Sequence, residues 1–282
     1  MSALTLDLAH ARVRVEGMTP AQRHQLLQRF GDFESSTGSC DALDMLIETT
    51  QDPRNFMVRP RGTREYRLSV RYEPHSIRVE GVGFSADLSR DTLHTRMVTC
   101  REDDWFLDGF ENLSRVVVSY QSFRAGALVL HSAAFTDGTR GFVCCGRSGA
   151  GKTTLCGLAS QLGLRVLSDE LNLVALSGPR LEVEAMPFAG DFGRIAPPRQ
   201  GVPLTALLGL RQGPEPRLEG CSPAEAVSRI VASCPYVNAD PELGHAVSDR
   251  AATLVDRLPL RILSFDRNTT FWNTLDDEYP RA

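Results

Sequence analysis

Residues 141–170 read GFVCCGRSGAGKTTLCGLASQLGLRVLSDE. Positions 141–145 form a short, continuously apolar run, the pattern of a buried strand. Positions 146–151 then carry three glycines, Gly146, Gly149 and Gly151. From Lys152 to Leu162 helix formers dominate, and Gly163 stands where a helix commonly ends. A second apolar run, 164–167, closes on Ser168-Asp169-Glu170. Strand, glycine-rich turn, helix and strand in that order predict an α/β or α+β arrangement.

The turn itself satisfies G-x-x-x-x-G-K-[ST] at 146–153. Glycines allow successive backbone N–H groups to turn inward around an anion, and the helix start adds its positive end. The pattern assigns phosphate binding to Gly146, Ser148, Gly149, Ala150, Gly151, Lys152, Thr153 and Thr154. Lys152 reaches the β- and γ-phosphates of ATP or another nucleoside triphosphate, and the Thr153 hydroxyl takes Mg²⁺. Of the chain's 31 basic residues only one is lysine, and it is Lys152. A compact ammonium on a flexible stem fits under a phosphate where the planar arginine fork does not.

Asp169 and Glu170 follow Lys152 by seventeen and eighteen positions. In open α/β sheets ligands bind at the carboxyl ends of strands, where this pair is expected. One carboxylate can hold Mg²⁺ and the other can take the proton of an attacking hydroxyl. On the residues alone, which of Asp169 and Glu170 takes which part stays open. An acidic pair in such a turn also serves as a helix cap or a solvated corner. Upstream, 127–130 (ALVL) reads as a short strand ended by His131, fifteen positions before Gly146. A histidine at a strand end is commonly structural, and His131 is carried as a third catalytic candidate. Asp137-Gly138 is a strong turn signal, so 127–130 and 141–145 are expected to pair as a hairpin.

Farther out, 20–29 suggests a short amphipathic helix and 31–40 a loop. The runs 65–71 and 76–80 suggest a hairpin. Residues Phe106, Phe110, Leu113, Val117 and Tyr120 recur at helical spacing, so 104–123 is read as a helix. The stretch 178–220 is rich in Pro and Gly and offers few strong elements, with a loop at 197–201. Ser222-Pro-Ala-Glu225 opens a helix with a capping box. A further helix is expected at 245–258 and a last strand at 260–265. The boundary is placed near 124–126, giving an N-terminal α+β region of unassigned role (1–125) and a phosphate-loop core (126–282).

Composition is that of a globular chain, with 42% hydrophobic and 23% charged residues. A net charge of -4 argues against unspecific binding to nucleic acid or acidic membranes. The seven cysteines show no CxxC and no zinc spacing, which suggests a reducing compartment. No run is long enough to span a bilayer, and the first residues lack a basic, apolar leader, so a cytoplasmic protein is expected.

The stretch 131–174, HSAAFTDGTRGFVCCGRSGAGKTTLCGLASQLGLRVLSDELNLV, resembles the core of the HPr kinase/phosphorylase family. There a strand ending in His, a hairpin, G-x-S-G-x-G-K-[ST], a helix and a strand ending in an acidic pair follow in this order. The resemblance implies a core shared with phosphoenolpyruvate carboxykinase and ATP-dependent phosphorylation of a serine hydroxyl. It carries Lys152, Thr153, Asp169, Glu170 and His131 onto family positions, and it implies Asp169 as the base and Glu170, with Thr153, as the metal site. Relatives often form oligomers, so a homo-oligomer is among the expectations. The family's second signature, E-[IV]-R-G-x-G, has no counterpart, and 186–194 reads MPFAGDFGR instead. HPr itself and the phosphorylase reaction are therefore not expected.

A protein, peptide or small-molecule acceptor is implied instead, with Arg147, Arg194 and Arg199 as candidates to neutralise transferring phosphate. The alternative is a nucleotide-binding regulatory or partner protein without transfer. A transport-type ATPase fits less well, because Leu176-Ser-Gly178 lies too near the loop to be its signature. A carboxykinase would want a second lysine.

Overall fold

The computed structural model describes residues 3–35, 42–50, 52, 56–57, 68–100, 105–188, 190–193 and 201–281. The chain mixes helices with strands and divides into two compact units, Met1–Gln121 and Ser122–Ala282. The division falls inside helix α2 (Phe106–Arg124), a few residues before the boundary expected from sequence.

The first unit is built on a seven-stranded sheet. Its strands are β1 (Leu4–Leu8), β2 (Ala11–Glu16), β3 (Leu43–Thr50), β4 (Leu68–Tyr72), β5 (Ser76–Gly81), β6 (Phe84–Ser89) and β7 (Thr95–Cys100), in the order β1-β2-β3-β7-β6-β5-β4. Alternation is clean in β1 and β2, where Leu4, Leu6, Leu8, Val13 and Val15 are buried and their neighbours are not. β2 and β3 run parallel, which requires a crossover, and α1 (Pro20–Phe30) lies between them in the chain. Thr19 caps that helix through Gln22, a reciprocal capping box that the sequence reading did not pick out. The expected 65–71/76–80 hairpin exists as β4 and β5, with Val70 opposite Val79. Residues 65–67 lie outside the described residues, as do 36–40 of the expected loop.

The second unit carries the motif. Its elements are β8 (Ala127–Thr136), β9 (Gly141–Cys145), α3 (Lys152–Gln161), β10 (Arg165–Ser168), β11 (Leu171–Ala175), β12 (Glu182–Ala185), β13 (Val202–Gln212), β14 (Arg217–Gly220), α4 (Pro223–Ser233), α5 (Gly244–Arg257), β15 (Leu260–Phe265) and α6 (Phe271–Glu278). β9, β13 and β15 run parallel side by side, so their carboxyl ends share one edge. β8 pairs antiparallel with β9 along its second half and with β10 and β11 along its other edge. Since β11 pairs with β12 and β12 with the start of β13, the ladders close a ring, β8-β9-β13-β12-β11. Phe135, Phe142, Leu155, Leu208, Leu263 and Phe271 pack in one buried cluster beneath α3 and α6.

Two expectations are corrected here. The segment 178–220 contains β13, an eleven-residue strand at the middle of the parallel trio. Its Leu204-Thr-Ala-Leu-Leu-Gly-Leu210 run carries an apolar signal that the surrounding Pro and Gly mask. β8 is likewise ten residues long and does not stop at His131. Ser132, Ala133 and Ala134 are small enough to continue a strand buried on both faces, which breaks the simple apolar signal without ending the ladder. The loop expected at 197–201 lies mostly outside the described residues. Among the described residues no helix is long and apolar enough to cross a membrane.

The β8–β9 turn is fastened to α6 by an ion network in which Asp137 and Arg140 are buried and Asp276 is half-exposed. Asp137 accepts from the backbone of Thr139 and Arg140 and from the Arg140 guanidinium at 2.7 Å. Arg140 also donates to Asp276 at 2.7 Å and to the Tyr279 carbonyl. Burial alone would raise the Asp137 carboxyl, but hydrogen bonds from Arg140 and Thr139 outweigh it and hold its pKa well below the usual range. Asp137→Asn is expected to cost about 3 kcal/mol at neutral pH. A depressed carboxyl stabilises above its unfolded pKa of about 3.9, so the gap between wild type and D137N should narrow as pH falls below about 4. Urea midpoints of both proteins between pH 7 and pH 3 test this; a gap of constant size rules it out.

Candidate functional site

The loop leaves β9 at Cys145 and enters α3 at Lys152. Gly151 has φ +98°, and a Cβ there would lie 2.8 Å from the Phe265 ring, so the turn requires glycine twice over. Gln212, at the end of β13, donates from Nε2 to the Gly149 carbonyl at 3.0 Å. The carboxyl ends of β13 and β15 thus brace the loop that β9 delivers. Helix α3 has no side-chain cap at its N-terminus, which leaves its first backbone N–H groups open to an outside acceptor. Lys152 is buried at 8% exposure, and its Nζ donates to the Gly146 carbonyl at 3.0 Å. The ammonium is therefore folded back across the mouth of the loop, where an anion can take it over.

Asp169 comes from the neighbouring ladder. β10 and β11 run as one line along β8, and the register shifts between Val166 and Ser168. Asp169 is only 4% exposed. Its Oδ2 accepts from the Thr153 hydroxyl and from the Phe192 backbone N–H, both at 2.9 Å. Its Oδ1 is buried and has no hydrogen-bond partner among the described residues. The turn Gly190–Gly193 lies directly over it, so close that a Cβ on Gly190 would sit 2.2 Å from Oδ1. A buried carboxylate oxygen without a donor, on a carboxylate that also meets a threonine hydroxyl, fits a divalent cation. Among the described residues no group of three His, Cys, Asp or Glu side chains could cage a metal alone, so phosphate oxygens would have to complete its shell.

Glu170 faces a different neighbour. Its Oε2 stands 3.8 Å from Nε2 of His131, which sits opposite Leu171 in the middle of β8. Both side chains are partly accessible, His131 at 44% and Glu170 at 28%.

The acidic pair follows the carboxyl end of β10, as expected, and that strand runs antiparallel to β8. Two site expectations change. His131 is a mid-strand residue, not a strand terminus. Thr153 meets Asp169, whereas the expectation joined it to Glu170 at the metal.

Gly146, Ser148, Gly149 and Ala150 line a cavity of about 720 Å³ that also touches Cys145, Leu210 and α4. Gly151 and Thr154 line a second one, of about 270 Å³, together with Gln212, Pro214 and Phe265. Burial pushes the Cys145 thiol up to about 11, although Ser233, Lys152 and Arg229 pull it down. Arg147 is exposed at the loop, while Arg194 and Arg199 lie outside the described residues. Gln212, Phe265 and the Gly190 turn were not assigned to the site from sequence. The glycine pair at 190 and 193 was the one visible signal.

Gly190→Ala should drive the turn off Asp169 and cost about 1–3 kcal/mol in chemical denaturation. Gly220→Ala, where an added Cβ meets nothing within 4 Å, should stay within about 0.5 kcal/mol of wild type. Equal effects at the two positions would show that the turn does not rest on the carboxylate.

Compared with family models and with curated proteins, the chain matches none.

Proposed function

We propose that this chain is an HPr kinase-like, ATP-dependent kinase that transfers the γ-phosphoryl group to a Ser or Thr hydroxyl. The acceptor would be a protein, a peptide or a small molecule. One observation carries the reading: a glycine loop covered by the only lysine joins the carboxylate ladder through the 2.9 Å bond from Thr153 to Asp169. Such a junction lets one triphosphate touch both an anion nest and a carboxylate.

In this reading the N–H groups of residues 146–154 hold the phosphates, and Lys152 exchanges the Gly146 carbonyl for phosphate oxygens. Thr153 and Asp169 would hold Mg²⁺, which supplies charge neutralisation for the transferring group. The expected roles of the two carboxylates are exchanged. Asp169 is sealed and bonded to Thr153, so it suits the metal. Glu170 is accessible and lies beside His131, so it suits the base. Glu170 takes the proton of the acceptor hydroxyl while the acceptor oxygen bonds to the γ-phosphorus. The bond from that phosphorus to the bridging oxygen breaks, and ADP leaves. His131 orients Glu170 and shares the proton it receives.

A binding protein without transfer activity is the competing reading. The closure of the Gly190 turn over Asp169 favours it, because a kinase must open that cover.

The test is transfer from radiolabelled ATP into a lysate of the source organism, run with Lys152→Ala, Asp169→Asn and Glu170→Gln. Labelled product should be lost in K152A, along with nucleotide binding. E170Q should bind nucleotide normally and transfer about 10²-fold more slowly or worse. D169N should need more Mg²⁺ to reach half its activity. Tight, Lys152-dependent nucleotide binding with no labelled product from any acceptor class favours the binding protein. Nucleotide binding that survives K152A removes both readings.

A further inference from the structure

The 720 Å³ cavity beside the loop has a second wall, made by helix α4, and that wall carries a cation. Arg229 faces the same space as the loop backbone from Gly146 to Ala150. Its guanidinium spends two nitrogens on one oxygen, with both Nε and Nη2 at 2.9 Å from Oε1 of Glu225, one turn earlier on α4. The pair is about a third to a half exposed, so it is a weak restraint that screening reduces further. Phosphate oxygens offer the guanidinium a bidentate, charge-assisted partner that a single carboxylate oxygen does not. Ser228, Ala232 and Ser233 are small and keep the space in front of the guanidinium clear. Lys152 and Arg229 both pull on the Cys145 thiol, which places the two charges near the same end of β9.

The orientation of a bound triphosphate follows from the second cavity. It shares no residue with the first and opens at Gly151 and Thr154, by the first turn of α3. The nucleoside end of a ligand seated on that turn has room there, between Pro214, Phe265 and Arg267. The phosphate chain then runs away from Thr154 toward the first half of the loop. Its terminal group arrives between Thr153–Asp169 on the ladder side and α4 on the other.

We propose that Arg229 binds the terminal phosphate of the nucleotide, releasing Glu225 to do so, and that α4 thereby distinguishes a nucleoside triphosphate from a diphosphate. The inference rests on the nucleotide-binding reading of the loop and adds a residue and a discrimination to it. With its one lysine committed to the loop, the chain meets the terminal charge from the far side with an arginine.

The experiment is a calorimetric titration of Mg-ATP and Mg-ADP into wild type, Arg229→Gln, Arg229→Lys, Glu225→Gln and Lys152→Ala. R229Q should weaken ATP at least tenfold and ADP less than threefold. R229K, which keeps the charge and loses the fork, should fall between R229Q and wild type for ATP. E225Q breaks the same helix pair without removing the cation and should bind ATP as wild type or tighter. It also controls for damage to α4, since a loss of melting temperature shared by E225Q and R229Q with ATP affinity lost only in R229Q still assigns the arginine to phosphate. ATP binding unchanged in R229Q, or equal losses for ATP and ADP, overturns the proposal while leaving the loop reading intact if K152A has lost both nucleotides. K152A that binds both nucleotides normally removes the underlying reading itself.

Discussion

The hydrogen bond from Thr153 to Asp169 joins two parts of the chain that sequence keeps apart. Thr153 stands at the first turn of α3, where the N–H groups have no intrahelical acceptors. Asp169 stands on a ladder that reaches the same point only because the register slips after Val166. Without that slip the alternation of strand side chains would turn Asp169 to the other face. The carboxylate is then taken out of water, and the geometry leaves one of its oxygens bonded twice and the other bonded to nothing described. An unsatisfied buried carboxylate oxygen costs folding energy, of the order of 1–3 kcal/mol or more for a charged group. The surrounding structure, from the Gly190 turn to the Asp137–Arg140–Asp276 network, has to be stable enough to hold it there.

The parts of this site that could be read from residues are those whose signal is local. Gly146, Gly149 and Gly151 followed by Lys152 describe a backbone shape and a charge within eight positions, and the fold placed them between β9 and α3 as that reading requires. The helix 104–123 and the strand 260–265 were equally local, because periodicity and apolar runs report on a single element. What escaped depends on pairing between distant segments. β13 reads as a Pro- and Gly-flanked stretch until β9 and β15 are set on either side of it. The position of His131 within β8 depends on β11 lying opposite, and the different neighbours of Asp169 and Glu170, Thr153 and His131, follow a register slip that no composition signals. Gln212 and Phe265 reach the loop through the parallel trio, so their part in it could appear only with the sheet. α6 was missed for a different reason. It is short, and its burial is made by Phe271 and Leu275 packing on a core built from β8 and β9.

The basic composition has a physical counterpart in the second unit. Arginine serves the structural ion pairs, as in Arg140 with Asp137 and Asp276, where a planar fork can satisfy two acids and stack on Phe142 and Trp272. Lysine is kept for the one position at which a single point charge must fold back over a tight turn. Arg229 belongs to the arginine class by geometry, since its partner Glu225 lies on its own helix and can be given up at little cost.

The closed ring of ladders through β8, β9, β13, β12 and β11 bears on how the site can move. An open sheet accommodates motion by sliding or splaying its strands, which would alter the gap between the loop after β9 and the carboxylate between β10 and β11. A cyclic hydrogen-bonded frame cannot shear at one seam without breaking pairs at another. The span between anchor and acid is thereby held by main-chain bonds instead of side-chain packing. The Gly190 turn on one flank and α4 on the other stand outside the hoop and can shift on ligand entry without breaking it.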